Sequence, residues 1–232
     1  MKKALRIFPV FSLLIFAGAC ILPVQAARET RDLKPFTGIG IGISADVYYT
    51  PGNAHEIIIE GDEADVKDLI SSVDNGFLKL KYDDWKTRRS KLTIYVTSPE
   101  LEKVSVSGSA KFEAEEKISS EEMEISISGS GSVLFAELNS EELEVQISGS
   151  GNAVLKNGKA EELALQISGS GKVLAEHFEV SECTAAVSGS GSCKISVKDE
   201  LEARISGSGS IYYHGDPQVN SRSSGSGKVR TL

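Results

Sequence analysis

Two short stretches of this 232-residue chain look as if they could hold a phosphate. Gly169-Ser170-Gly171-Lys172 and Gly225-Ser226-Gly227-Lys228 both end in Gly-Lys. A phosphate-binding loop needs Gly, four residues, then Gly-Lys and a Ser or Thr that opens a helix. Here Val173 and Val229 stand at the hydroxyl position, strand patterning follows, and most copies of the motif lack the lysine. Nucleotide binding is not expected. Acidic pairs form a second set: Glu121-Glu122, Glu141-Glu142, Glu161-Glu162 and Asp199-Glu200 precede equivalent segments, with Glu182 in register. Carboxylates stacked near 5 Å repel by about 1 kcal/mol or less in water, so they read as a solvated edge. Weak Ca²⁺ binding by the stacked Glu residues is the alternative. No cofactor is expected.

Tyr82, Trp85, Lys86, Arg88 and Arg89 gather aromatic and basic side chains within eight positions. Such a group can stack on a sugar ring and contact an anion, and it is the candidate ligand contact; an ordinary exposed loop is the plainer reading. His55, His177 and His214 are scattered, with no pair at metal-ligand spacing and no nucleophile beside them. No catalytic or metal site is expected. Cys183 and Cys193 flank one Gly-Ser corner, as two buried thiols or as a bridge across it.

The elements that would position these groups begin after a leader. Lys2, Lys3 and Arg6 precede an apolar run from Ile7 to about Val24, and Val24-Gln25-Ala26 offers small residues for cleavage. Residues 1–26 therefore read as a secretory signal. Ala17-Gly18-Ala19-Cys20 offers a second cut, which would leave a lipid anchor on Cys20. Either route exports the chain to the periplasm, the outer-membrane surface or the medium. Losing Lys2, Lys3 and Arg6 takes the 25 basic residues to 22 against 33 acidic ones, a net charge of −11. Such a surface repels nucleic acid. No further apolar run is long enough for a transmembrane helix.

From residue 105 to 232 the chain repeats. The motif SGSG (SGSA in the first copy) begins at Ser107, Ser128, Ser148, Ser168, Ser188, Ser206 and Ser224, at spacings of 21, 20, 20, 20, 18 and 18. Five, three and one residues before each motif stand mostly apolar residues such as Leu143, Val145 and Ile147, with polar ones between. Five and seven residues after it the alternation resumes, as at Val133 and Phe135. Period two means strands with one buried face. Asn139-Ser140 and Asn157-Gly158 mark a second turn in each unit. Stacking equivalent strands about 4.8 Å apart buries every apolar column and pairs every backbone. The expected fold is all-β, a single-stranded parallel β-helix (β-solenoid) with coils of 18–21 residues. Its structural corners are Gly129, Gly131, Gly149, Gly151, Gly169, Gly171, Gly189, Gly191, Gly207 and Gly209, and stacked Ser hydroxyls would bond along the axis.

Residues 27–232 read as one solenoid domain, with 27–104 forming less regular first coils and a cap. Ile39, Ile41 and Ile43 alternate, as do Leu78 and Leu80, and Leu92, Ile94 and Val96. Val66, Leu69, Ile70 and Val73 have helical spacing, which predicts a helix within Ala64 to Val73. Turns are marked at Thr50-Pro51-Gly52-Asn53 and Asp74-Asn75-Gly76.

Phe36 with the Ile39/Ile41/Ile43 strand, Asp46-Val47, and Asn75-Gly76-Phe77-Leu78 carry a family resemblance. Leu92 to Leu101, the SGSG ladder and Tyr213-His214-Gly215-Asp216-Pro217 complete it. The chain resembles the head GIN domain family of Bacteroidota envelopes, whose members are named as auto-transporter adhesins, over about Phe36 to Val229. The resemblance implies a secreted or surface β-helix and supplies no catalytic residues. A non-catalytic adhesin-like module for a glycan or protein partner is the expected function; a structural or assembly role in the envelope is the alternative, ahead of an enzyme acting on polysaccharide.

Overall fold

The computed structural model describes residues 26–83 and 89–232; all but the last residue of the expected leader lie outside them. The first part of the chain folds as β1 (Ala26–Asp32), β2 (Gly38–Ile41), β3 (Ala45–Pro51), β4 (Glu56–Asp62), α1 (Glu63–Asp68), β5 (Ile70–Asp74), β6 (Phe77–Lys81) and β7 (Leu92–Ser98). The repeats follow as β8 (Lys103–Gly108), β9 (Lys111–Gly129), β10 (Ser132–Gly149), β11 (Asn152–Leu155) and β12 (Gly158–Gly169). β13 (Lys172–Gly189), β14 (Ser192–Gly207), β15 (Ser210–His214), β16 (Gln218–Gly225) and β17 (Lys228–Thr231) complete the chain. Its repeats are stacked parallel coils, a β-solenoid as the period implies.

Each coil has two main faces that meet at the motif. Residues before the motif pair coil to coil without slippage, Leu143 with Leu163 and Ile147 with Ile167. Residues after it do the same, Val133 with Ala153 and Phe135 with Leu155. These are the pre-corner and post-corner faces. Bulk alternates across the two inner columns behind the post-corner face: Phe112 sits with Ala114, Val133 with Phe135 and Ala153 with Leu155, all buried. The narrow interior is thereby filled without crowding.

The two glycines of the motif do different jobs. The first takes φ of 109–119° in the copies from Gly129 to Gly207, a region closed to residues with a Cβ. The second needs no unusual φ; a Cβ on Gly151 would lie 2.4 Å from Ile127 Cγ2 and 2.8 Å from Gly131 O of the coil beneath. Bonding along the axis comes from the backbone. The Ser150 N–H donates to Gly129 O at 2.8 Å and the Asn152 N–H to Gly131 O at 3.1 Å, and both bonds recur one coil on. The motif's serine side chains face solvent instead of forming the axial column the sequence leads one to expect. Asn139-Ser140 is not a loop either: it stays extended and in register with Lys159 and Ala160, making a third, short side.

The first part departs further from simple coiling. β2 lies between β6 and β8, and β3 between β7 and β9, so the first parallel coil is enclosed by strands that come later in sequence. The end is then closed by antiparallel strands: β4 on β7, β1 on β4, and β5 on β6. The helix expected within Ala64 to Val73 stops at Asp68, and Ile70–Asp74 is strand. Asn75 (φ 50°) and Gly76 (φ 74°) explain this, because two residues in the left-handed region make the tight hairpin turn that folds β5 onto β6. Arg31 seals the end by donating to the carbonyls of Val66 (2.9 Å) and Leu69 (2.6 Å) at the helix C-terminus. At the far end the inward Leu201, Ala203 and Ile205 give way to Val219, Ser221 and Ser223, all exposed.

Candidate functional site

Of the expected ligand-contact group, Trp85, Lys86 and Arg88 lie outside the described residues. Tyr82 and Arg89 come together, with the guanidinium carbon 3.5 Å from the centre of the Tyr82 ring. Arg89 also lies 3.4 Å from carboxylate oxygens of both Asp65 and Asp68. Asp65, 7% exposed, accepts from the Ser90 N–H at 2.6 Å. Burial raises the Tyr82 phenol's pKa, and the Asp65 carboxylate adds to the rise. One face of Tyr82 is thus covered by Arg89, in a cluster that ties the segment before β7 to α1.

Cys183 and Cys193 are free and buried. Burial pushes the Cys183 thiol up to about 12, and raises Cys193 with Cys183 adding to it. Neither is poised as a nucleophile. On the pre-corner face Glu122, Glu142, Glu162, Glu182 and Glu200 form one in-register column beside an open groove of about 870 Å³. The column spreads its carboxylates along the axis instead of converging them. Among the described residues no three His, Cys, Asp or Glu side chains are grouped to hold a metal ion. His55 is engaged in the core edge, its Nδ1 accepting from the Phe36 N–H at 3.3 Å.

The post-corner face carries the feature that reading the sequence missed. Between its two buried columns runs an outward column in which Ile58, Tyr95, Tyr48, Glu113 and Leu134 succeed one another in register. Val154, Leu174, Lys194 and Tyr212 continue it. Tyr48 and Tyr95 stack with ring centres 5.6 Å apart and planes 25° from parallel. Tyr95 is 40% exposed and Leu174 39%, and Ile58, Tyr48, Leu134, Val154 and Tyr212 are half-buried, so the column is an apolar and aromatic stripe interrupted by Glu113 and Lys194. The signal was in the sequence: in the repeats these residues sit six after each motif's first Ser, where an outward position should be polar. Contiguous exposed apolar surface marks places where other molecules bind.

The sequence pattern of the family described as "putative auto-transporter adhesin, head GIN domain" matches residues 35–217. The chain belongs to the head GIN domain family. That match runs from the residue before Phe36 through β15 and so includes every strand of the stripe. No curated protein matches the chain. Among solved structures it is similar to a putative adhesin from Bacteroides fragilis, 26% identical with a TM-score of 0.84, covering 90% of this chain and 97% of that one. A putative lipid binding protein from Parabacteroides distasonis shares the fold at 24% identity and a TM-score of 0.75, covering 89% and 96%. So does a putative adhesin from Parabacteroides merdae, at 24% identity, a TM-score of 0.74, and 90% and 96% coverage.

Proposed function

We propose that this head GIN domain protein is an exported, non-catalytic binding module of the cell envelope that engages a glycan or protein partner through the outward stripe of its post-corner face. The stripe carries the reading. Tyr48 and Tyr95 stack on each other, and beyond Glu113 the apolar line resumes with Leu134, Val154 and Leu174 over successive coils, so many weak contacts add along a rigid axis. Export is supported by the basic and apolar leader. Among the described residues no helix is long and apolar enough to cross a membrane.

The test compares wild type with the Tyr95→Ser, Leu174→Asp double variant on a glycan array and on bacterial and host cell surfaces. Both changes are outward, so the melting temperature should stay within about 2 °C while retention falls at least tenfold. A double variant retained as well as wild type would sink the reading.

A further inference from the structure

The stripe lies in a field of charge that changes sign along the solenoid. Eleven strands build the post-corner face, in axial order β1, β4, β7, β3, β9, β10, β11, β13, β14, β15 and β17. Outward acidic residues gather in the capped half, with Glu56 and Glu60 on β4, Asp46 on β3 and Glu113 on β9. Outward basic residues gather in the other half, with Lys172 on β13, Lys194 on β14, and Lys228 and Arg230 on β17. Within the chain Glu60, Asp46 and Glu113 pair with Arg28, Lys91 and Lys111, and Lys194 pairs with Glu176, so these groups keep net charges of −1 and +3. A basic half-face stands out on a chain with 33 acidic and 25 basic residues. Leu134, Val154 and Leu174 occupy the middle.

We propose that the partner of this face is a second copy of the same chain, docked face to face with its axis reversed. The proposal rests on the reading of the stripe as the binding surface. A two-fold axis lying in the interface along the strand direction turns the acidic half of each copy onto the basic half of the other. With the axis through β10, Leu134 meets its own mate, and β3 lies against β13 of the other copy. Asp46 then faces Lys172 and Tyr48 faces Leu174. β7 lies against β14, which puts Tyr95 beneath Lys194, a cation on an aromatic face. β4 lies against β15, so Ile58 meets Tyr212. The unreversed arrangement would set each half against its own kind, β3 against β3 and β13 against β13.

The face measures roughly 50 Å by 15 Å from the strand spacing and the rise per residue. That is about 750 Å² per partner, near the ~800 Å² of a standard interface. A contact of this kind is self-complementary and closes at two copies. Reversal also puts the two β1 strands at opposite ends of the pair, so copies held at their N-termini on two opposing surfaces could join.

Sedimentation velocity on the purified protein tests this. Wild type should dimerise at tens of micromolar in 20 mM NaCl and at least tenfold more weakly in 500 mM, because exposed charges are screened. The Asp46→Lys variant and the Lys172→Glu variant should each dimerise at least tenfold more weakly than wild type, with circular dichroism melts like wild type. Their equimolar mixture should pair, since each altered half then meets its opposite sign. A wild type that stays monomeric at 100 µM in low salt, or a mixture that fails to pair, overturns the proposal. If wild type is monomeric while the Tyr95→Ser, Leu174→Asp variant still loses surface retention, only self-pairing falls. If that variant is retained like wild type, the reading of the face falls as well.

Discussion

The pre-corner and post-corner faces share one core and present opposite exteriors. Inside, both are lined by equivalent buried columns, Leu143, Val145 and Ile147 on one and Val133 and Phe135 on the other. Outside, the pre-corner face bears Glu122, Glu142, Glu162 and Glu182 in an unbroken file, and the post-corner face bears the apolar stripe. Inward residues decide that the chain coils; outward residues are free of that duty, and it is in them that the two faces differ. A repeat is thus a device for placing one residue type on one line, about 4.8 Å apart, as many times as there are coils.

The largest effect should come from breaking the corner that joins the faces. Gly149 has φ of 119°, and a Cβ there would lie 2.6 Å from Gly129 O of the coil beneath. Gly149→Val should cost about 3 kcal/mol or more and lower the melting temperature by roughly 6–12 °C; an unchanged melt would count heavily against the stacked-corner account. Next is Phe77, whose ring lies across β2 where Gly38 and Gly40 leave room for it. A Cβ on either glycine would come within 2.5 Å of the ring. Phe77→Ala should cost about 1–3 kcal/mol and leave partner binding intact, since it alters the pre-corner face alone. Gly40→Ala should be damaging in wild type and tolerated beside Phe77→Ala, a coupling that a double-mutant cycle of melts would read.

The core beneath both faces offers a subtler probe. A thiol whose folded-state pKa lies above its unfolded one favours the folded state below about pH 9 and loses that advantage as pH climbs through about 12, the value for Cys183. Stability should therefore be flat from pH 7 to about 9 and decline above it, less so in Cys183→Ala. Ellman's reagent at pH 8 should reach both thiols only after denaturation. The smallest effect belongs to the carboxylate file: millimolar Ca²⁺ or chelator should move the melt by less than about 1 °C, and a larger shift would reveal a site that the file's spacing does not build.

How much of this could be read from the sequence depends on whether a residue repeats. The SGSG period carried the coil, its corners and its inner columns, because one geometry recurs and each copy corroborates the others. Asn139-Ser140 misled, since polar residues at a bend resemble a loop even when the ladder runs through them. The capped end was less legible: Ile57 and Ile59 alternate whether β4 pairs parallel or antiparallel, and nothing local says that β2 will sit between β6 and β8. The β5 strand could have been recognised from Asn75-Gly76, whose turn demands a partner strand on both sides. The stripe was legible but unread. Leu134, Val154, Leu174 and Tyr212 were passed over because alternation directs attention to the buried positions, and an apolar residue between two buried ones breaks the pattern without changing the fold.

The enclosure of β2 and β3 by later strands has a consequence for how the chain comes to be folded. An ordinary solenoid can build coil by coil behind a translocating chain, each new turn laid on the last. Here Gly38 pairs with Phe77 on one side and Lys103 on the other, and Val47 with Ile94 and Phe112. The first coil therefore has no complete neighbours until the chain has emerged past Phe112, and closing loops of 39 to 65 residues before these ladders form slows folding. Order in the first coil must therefore wait for β8 and β9, so the N-terminal segment should stay unfolded until Phe112 is in place, while the coils from β10 onward can each be laid on the one before.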